Sequence, residues 1–190
     1  MHLSPQTLNF GGGISSNVID LLSLFPRMER LCFCVKFLTA DRNYMERLPS
    51  FFNHLKILKL KFLDFSDMEQ IFCSLCLIRS CPNLKELAIS SDTLSSDSAV
   101  DLIVKCMTVQ YSICCTLRNL STVKIKARTG FKGELELVKF LLANSPSLVN
   151  LTFKVSGIRN DKDVLLSISQ QLLRFQRASP TAEIIFSCEG

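Results

Sequence analysis

The chain has 190 residues, of which 47% are apolar and 21% charged, with a formal net charge of +5. That length holds one domain with a substantial core, the composition is that of an ordinary globular protein, and so mild a basicity favours acidic partners without selecting nucleic acid. No apolar run nears the roughly 18 residues of a membrane helix, and Met1–Phe10 lacks the basic flank and apolar centre of a signal peptide.

In chain order, a short phrase recurs: a leucine-type residue, two residues of any kind, an apolar residue, one of any kind, another apolar. A weak copy opens the chain at Pro5-Leu8-Phe10. Gly11-Gly12-Gly13 follows, and reads as a strand-to-helix turn, because no Gly-Lys-Ser/Thr comes after it to build a phosphate loop. Val18, Leu21 and Leu22 suggest a short helix ending before Phe25-Pro26. Clear copies of the phrase stand at Met28-Leu31-Phe33, Leu55-Leu58-Leu60 and Leu84-Leu87-Ile89. Within the second, Leu58-Lys59-Leu60-Lys61-Phe62 alternates apolar and polar residues, which predicts a strand with one buried and one wet face.

Ser66-Asp67-Met68-Glu69 has the spacing of a capping box, with the Ser66 hydroxyl as cap and Glu69 reaching back. The helix it opens runs through Ile71, Phe72, Leu75 and Ile78 and stops before Cys81-Pro82, since proline cannot continue it. Ser90 to Thr116 is the loosest stretch, with a helix expected over Ala99–Met107 and an irregular loop beside it. Further copies of the phrase fall at Leu120-Val123-Ile125 and Leu148-Leu151-Phe153, and a weak one at Thr181-Ile184-Phe186. Between them a helix from about Glu134 through Leu142 places Glu134 and Glu136 at its positive end and stops before Asn144-Ser145-Pro146. A last helix spans about Asp161 to Arg177. It aligns Val164, Ile168, Leu172 and Phe175 on one stripe, puts Arg174 and Arg177 in its final turn and ends at Ser179-Pro180.

A strand-length phrase returning at steps of about 23 to 36 residues, with helices between, predicts an α/β fold: an irregular leucine-rich-repeat solenoid with a parallel sheet on one face and helices on the other. The repeats are degenerate. Where a regular leucine-rich repeat carries Asn or Cys, eight positions after its first leucine, this chain has Lys36, Leu63, Asp92, Arg128 and Ser156. An array opening almost directly on a strand, with no polar cap, predicts that the chain is the C-terminal part of a longer architecture.

The segment Leu75 to Ile89 resembles the leucine-rich region of plant F-box/FBD/leucine-rich-repeat proteins. Leu117 to Phe186 resembles the FBD domain that closes them. There, Leu120–Ile125 and Glu134–Pro146 are similar to a strand and its following helix, and Leu172–Pro180 with Ala182–Phe186 to the closing helix and strand. The resemblance implies degenerate repeats over 1–116 and an FBD-like domain over 117–190 that continues the stack. It also implies a target-recognition subunit of a Skp–cullin–F-box ubiquitin ligase. No F-box pattern precedes the first repeat, so contact with the Skp adaptor is expected only if an F-box lies upstream. A free-standing interaction domain or fragment unconnected with ubiquitin is the alternative.

No residue set points to catalysis, a metal or a cofactor. Cys73 and Cys76 form a C-x-x-C with Cys81 beyond, but a second ligand pair is missing, and His2 and His54 sit in unrelated places. A redox pair would open a helix after a strand, whereas this one falls mid-helix in an apolar stripe, as small core residues do. Cys114-Cys115 and the Cys32/Cys34 pair have no companions either. Nine cysteines, odd in number, read as reduced thiols in a cytoplasmic and/or nuclear protein. A nucleophile would need a base in reach, and neither histidine has such a setting.

Strand parity carries the one functional signal. If Leu58, Leu60, Val123, Ile125, Leu151 and Phe153 point inward, their neighbours Lys59, Lys61, Lys124, Lys126 and Lys154 face the open side of the sheet, with Lys36 and Arg128 at strand ends. Glu86 and Asp92 are the acids at corresponding positions. Such a stripe suits an acidic segment of a protein target; the plainer reading is that lysines solubilise an exposed sheet. Nucleic acid is not expected, because single-strand binders interleave aromatic platforms and the phenylalanines here fall inward or on helices. No membrane contact is expected.

Overall fold

The computed structural model describes residues 7–10, 27–37, 52–91, 117–130, 132–158 and 161–188. Seven strands form one sheet in chain order: β1 (Thr7–Phe10), β2 (Arg30–Cys34), β3 (Ile57–Leu63), β4 (Glu86–Ser91), β5 (Thr122–Ala127), β6 (Asn150–Val155) and β7 (Glu183–Cys188). Every neighbouring pair is parallel. Three helices lie among the described residues, α1 (Met68–Arg79), α2 (Lys132–Asn144) and α3 (Lys162–Arg174), and a 3-10 turn (Val35–Phe37) follows β2. All seven copies of the phrase are strands.

The phrase works because its two apolar positions fall on one side of the pleat. Leu31, Leu58, Leu87, Val123 and Leu151 are in register across five strands, and each is buried to 1% exposure or less. Burying one such leucine stabilises the fold by about 1.5–3 kcal/mol. Phe33, Leu60, Ile89, Ile125 and Phe153 form the next row, and the Phe153 ring stacks against Phe186 with centroids 6.1 Å apart. The helices meet this face. α1 is buried nearly all round from Ile71 to Ile78, which puts Cys73 and Cys76 in the core. α2 buries Leu135, Leu137, Val138, Phe140, Leu141 and Leu142, whereas α3 buries only Ile168 and Leu172.

The phrase's first leucine closes a turn. Leu55, Leu84, Leu120 and Leu148 each donate an amide to the carbonyl three residues back, on Phe52, Cys81, Leu117 and Ser145, and Ala182, one residue past the first position of its copy, does the same to Ser179. Pro82, Pro146 and Pro180 occupy the second position of three of these turns, where a fixed φ near −65° is wanted and an amide hydrogen is not. The prolines therefore shape the turn into the strand as well as ending the helix. The Phe25-Pro26 junction, the glycine run, Cys114-Cys115, and the helices expected around Val18–Leu22 and Ala99–Met107 lie outside the described residues.

Three local expectations need correction. The cap of α1 is Asp67, not Ser66. The Asp67 carboxylate accepts the amides of Glu69 (2.9 Å) and Gln70 (3.2 Å), while the Ser66 hydroxyl donates to Asp64. A charged acceptor at the positive helix end outcompetes a hydroxyl one residue earlier. Gln70, rather than Glu69, reaches back: its amide nitrogen donates to Asp67, and its oxygen accepts the Asp64 amide. Arg177 lies beyond α3, because the chain turns extended at Phe175, and its guanidinium donates to the Ala182 carbonyl instead. Phe62 breaks the alternation of β3. It has φ +59° and sits at a register shift between Leu60 and Leu63, so Lys61 and Phe62 both face outward and Leu63 turns in.

Candidate functional site

The lysines singled out from parity stand on the open face of the sheet, in two rows set by register. In the first, Lys59 and Lys124 flank Ala88. In the second, nearer the strand C-termini, Lys126 lies between Ser90 and Lys154, with Lys61 on β3 opposite Cys34. All five are exposed, above the buried rows of leucine and phenylalanine. Arg128 follows the last residue of β5, and Lys36 sits in the 3-10 turn after β2 with its ammonium 5.3 Å from the centroid of the Phe62 ring.

Charge changes sign along the strands. The row at their N-terminal ends reads Arg30, Ile57, Glu86, Thr122, Asn150 and Glu183. Beside it Lys56 pairs with Glu29 at 2.6 Å and holds that carboxyl below its ordinary value, and Lys124 pairs with Glu86 at 3.0 Å. Cations dominate towards the C-terminal ends. Lys126 and Lys154 are direct register partners there, an arrangement that costs the isolated sheet some stability and raises the local positive potential. Asp92, the other acid expected on this face, lies outside the described residues.

At that end the surface dips into a cavity of about 560 Å³ lined by Phe62, Ser90, Ser91, Lys126, Arg128 and Ser156. Gly157 completes it; a Cβ there would collide with the Arg128 carbonyl, so only glycine permits so close an approach. The Ser90 hydroxyl oxygen accepts the Phe62 amide at 3.2 Å, which leaves its own proton to be donated outward. The Ser156 hydroxyl donates to the Ala127 carbonyl at 3.3 Å. Beneath, the buried Glu134 carboxylate accepts the Arg128 amide at 3.1 Å and ties the end of β5 to the first turn of α2. Glu134 thus serves the loop backbone as well as its helix.

Sequence reasoning missed Phe62, which is 46% exposed on the open face. The signal was present: the inward residues run Leu58, Leu60, Leu63, a step of two and then of three. It also missed the polar ladder. At the N-terminal turns, Asn83 donates to the Asn53 carbonyl (2.8 Å), and Asn119 donates to the Pro82 carbonyl (3.0 Å) and the Asn83 side chain (3.2 Å). Asparagine does bind repeat to repeat here, at the turn before the strand.

Among the described residues no group of His, Cys, Asp and Glu could hold a metal, and no helix is long and apolar enough to cross a membrane. Cys73, Cys76 and Cys81 are buried thiols; Cys81 donates to the Leu77 carbonyl, and burial pushes its thiol up to about 12.

The family model described as FBD matches residues 110–153, which run from before β5 into β6. F-box/FBD/LRR-repeat protein At1g13570 of Arabidopsis thaliana is 31% identical over 98% of this chain, and putative F-box/FBD/LRR-repeat protein At3g23955 of the same plant is 28% identical over 93%. The chain is a homologue of the F-box/FBD/LRR-repeat proteins and carries an FBD match. It spans 44% and 43% of the length of those two relatives. No solved structure matches. The FBD segment is continuous with what precedes it, since β4 and β5 pair along five residues with no break in the sheet.

Proposed function

We propose that this FBD chain is a non-catalytic protein-interaction module, the target-holding part of an F-box family protein, built as an irregular leucine-rich solenoid. The strand order supports the solenoid: each repeat adds one parallel strand to the same edge, and the junctions among the described residues repeat the same turn. The observation that carries the function is the open sheet face, where five exposed lysines stand in two rows above a fully buried core. Such a face attracts an acidic segment of a protein target and orients it by charge complementarity. The link to ubiquitin transfer rests on the names of the relatives: an F-box joined to this module would bring the bound target to the Skp adaptor and its ligase. The natural setting of that role is the cytoplasm or nucleus.

Affinity capture with isotopic quantification from plant extract tests the proposal. Reversal of Lys59, Lys61, Lys124 and Lys126 to glutamate removes the wild-type partners. Reversal of Lys132, Lys162 and Arg174, on the helical side, leaves them. Equal recovery by both variants would refute docking on the sheet face.

A further inference from the structure

The core is closed along the stack and open at its last strand. Leu31, Leu58, Leu87, Val123 and Leu151 are exposed by 1% or less, yet Ile184, the next member of their row, is only half-buried, and so is Phe186 beside Phe153. Helix α3 shows the same break. It buries two residues where α1 buries seven and α2 eight, and it leaves Leu166 57% and Leu173 72% exposed. Those two leucines, seven residues apart, form one stripe. At 100° per residue they stand about 130° round the helix from the buried Ile168 and Leu172. In a right-handed crossover that flank of α3 is turned towards the outer edge of β7. We infer that this end of the stack is the contact surface for a second copy of the chain, whose β7 pairs antiparallel with this one about a two-fold axis through Ile185.

The surface is complementary to itself. No described strand pairs with the outer edge of β7, and the strand carries no proline, lysine or bulge to blunt it; its register with β6 is unbroken over six residues. Directly opposed residues of antiparallel strands share a face, so parity restricts the pairing. The register centred on Ile185 covers this strand's one exposed large hydrophobic, 48% accessible, with its own copy on the open side. On the inner side Ile184 then meets Phe186 of the second copy, and the open row is closed. Charge agrees: Glu183, the only charged residue of β7, lies opposite Ser187 rather than opposite itself, where like charges would repel. The same axis sets the two α3 helices on one side of the joined sheet in opposite directions, so that their dipoles attract and Leu166 and Leu173 face their counterparts. A six-residue strand and a 13-residue helix are each about 20 Å long, which places the contact at the low end of specific interfaces, below the roughly 800 Å² per partner of standard ones. The dimer is therefore weak and depends on concentration. Both lysine rows stay uncovered on the same side of the joined sheet, so the contact stands whether or not that face holds a target.

Sedimentation velocity tests this on the full 190-residue chain in reducing buffer, from about 1 µM to about 1 mM, the range of weak association. The mass should rise from 21.4 kDa to twice that value and no further. Ile185→Lys and Ile185→Glu should each remain monomeric, because each sets like charges against one another across the axis. An equimolar mixture of the two should dimerise again, since opposite charges then meet. Leu166→Ser with Leu173→Ser should weaken association about tenfold. Phe62→Ser, which removes an exposed aromatic from the open face, should leave it unchanged. A wild type that stays at 21.4 kDa throughout overturns the inference. Growth beyond two copies overturns it as well, because it marks a head-to-tail contact rather than a two-fold one. Dimerisation of Ile185→Lys alone, loss of the dimer in Phe62→Ser, or a Lys/Glu mixture that remains monomeric would each place the contact elsewhere and overturn it too.

Discussion

Two serines in equivalent turns show how finely the junctions are tuned. Ser145 and Ser179 each open the turn that leads into a strand, and both are buried. The Ser179 hydroxyl donates to the Leu148 carbonyl at 2.7 Å, whereas the Ser145 hydroxyl has no partner among the described residues. Loss of a satisfied buried hydrogen bond costs about 1 kcal/mol, and loss of an unsatisfied hydroxyl costs nothing or stabilises. Urea unfolding of Ser179→Ala should therefore show a stability loss of about 1 kcal/mol, and Ser145→Ala a stability at or above wild type. Cys81 gives a pH prediction. Its folded thiol stays protonated to about 12, while the unfolded chain ionises from 9.0, so the stability it contributes is complete below 9.0 and lost as the pH rises towards 12. The urea midpoint of the wild type should fall more between pH 8 and pH 10.5 than that of Cys81→Ala; parallel slopes would contradict the burial of this thiol. These pH values lie roughly one unit or more below and above the 9.0 at which the unfolded thiol ionises.

At the scale of elements, strands proved more legible than their ends. The spacing of Leu58 and Leu60, or Leu151 and Phe153, reports which side of a pleat is buried, and burial decides whether a strand forms there. Caps depend on competition between neighbouring acceptors, so Ser66 and Asp67 could not be ranked without their geometry. The bulge at Phe62 was written only as a three-residue step to Leu63, and an apolar side chain on a wet face runs against the general pattern that reading relies on. The asparagine ladder is hidden for a different reason: a regular leucine-rich repeat carries its asparagine after the strand, where Arg128 and Ser156 stand here, whereas Asn83 and Asn119 stand in the turn before it. Because Asn119 bonds to both the Pro82 carbonyl and the Asn83 side chain, the two asparagines act as one unit. Asn83→Ala and Asn119→Ala should each lose about 1 kcal/mol of stability, and the double variant less than their sum. Strict additivity in a double-mutant cycle would show that the ladder does not couple adjacent repeats.

For the molecule as a whole, the helical side and the sheet side divide the labour. Helices α1 and α2 meet the inward rows and complete the core, so little of their surface remains for recognition. The open face carries the cations, the cavity and Phe62; Lys59, Lys61, Phe62, Lys124, Lys126 and Lys154 stand on strands, which holds them rigid, while Arg128, Ser156 and Gly157 follow directly on the strand ends. The exposed leucines of α3, Leu166 and Leu173, lie on the far side from this face and provide an internal comparison. Site-specific photo-crosslinking decides the matter most directly, with p-benzoylphenylalanine placed at Phe62, where it extends an aromatic ring already exposed, and separately at Leu166. The partner recovered by the wild-type chain should crosslink through position 62 and not through position 166. Crosslinking through position 166 with none at 62 would contradict docking on the open sheet face.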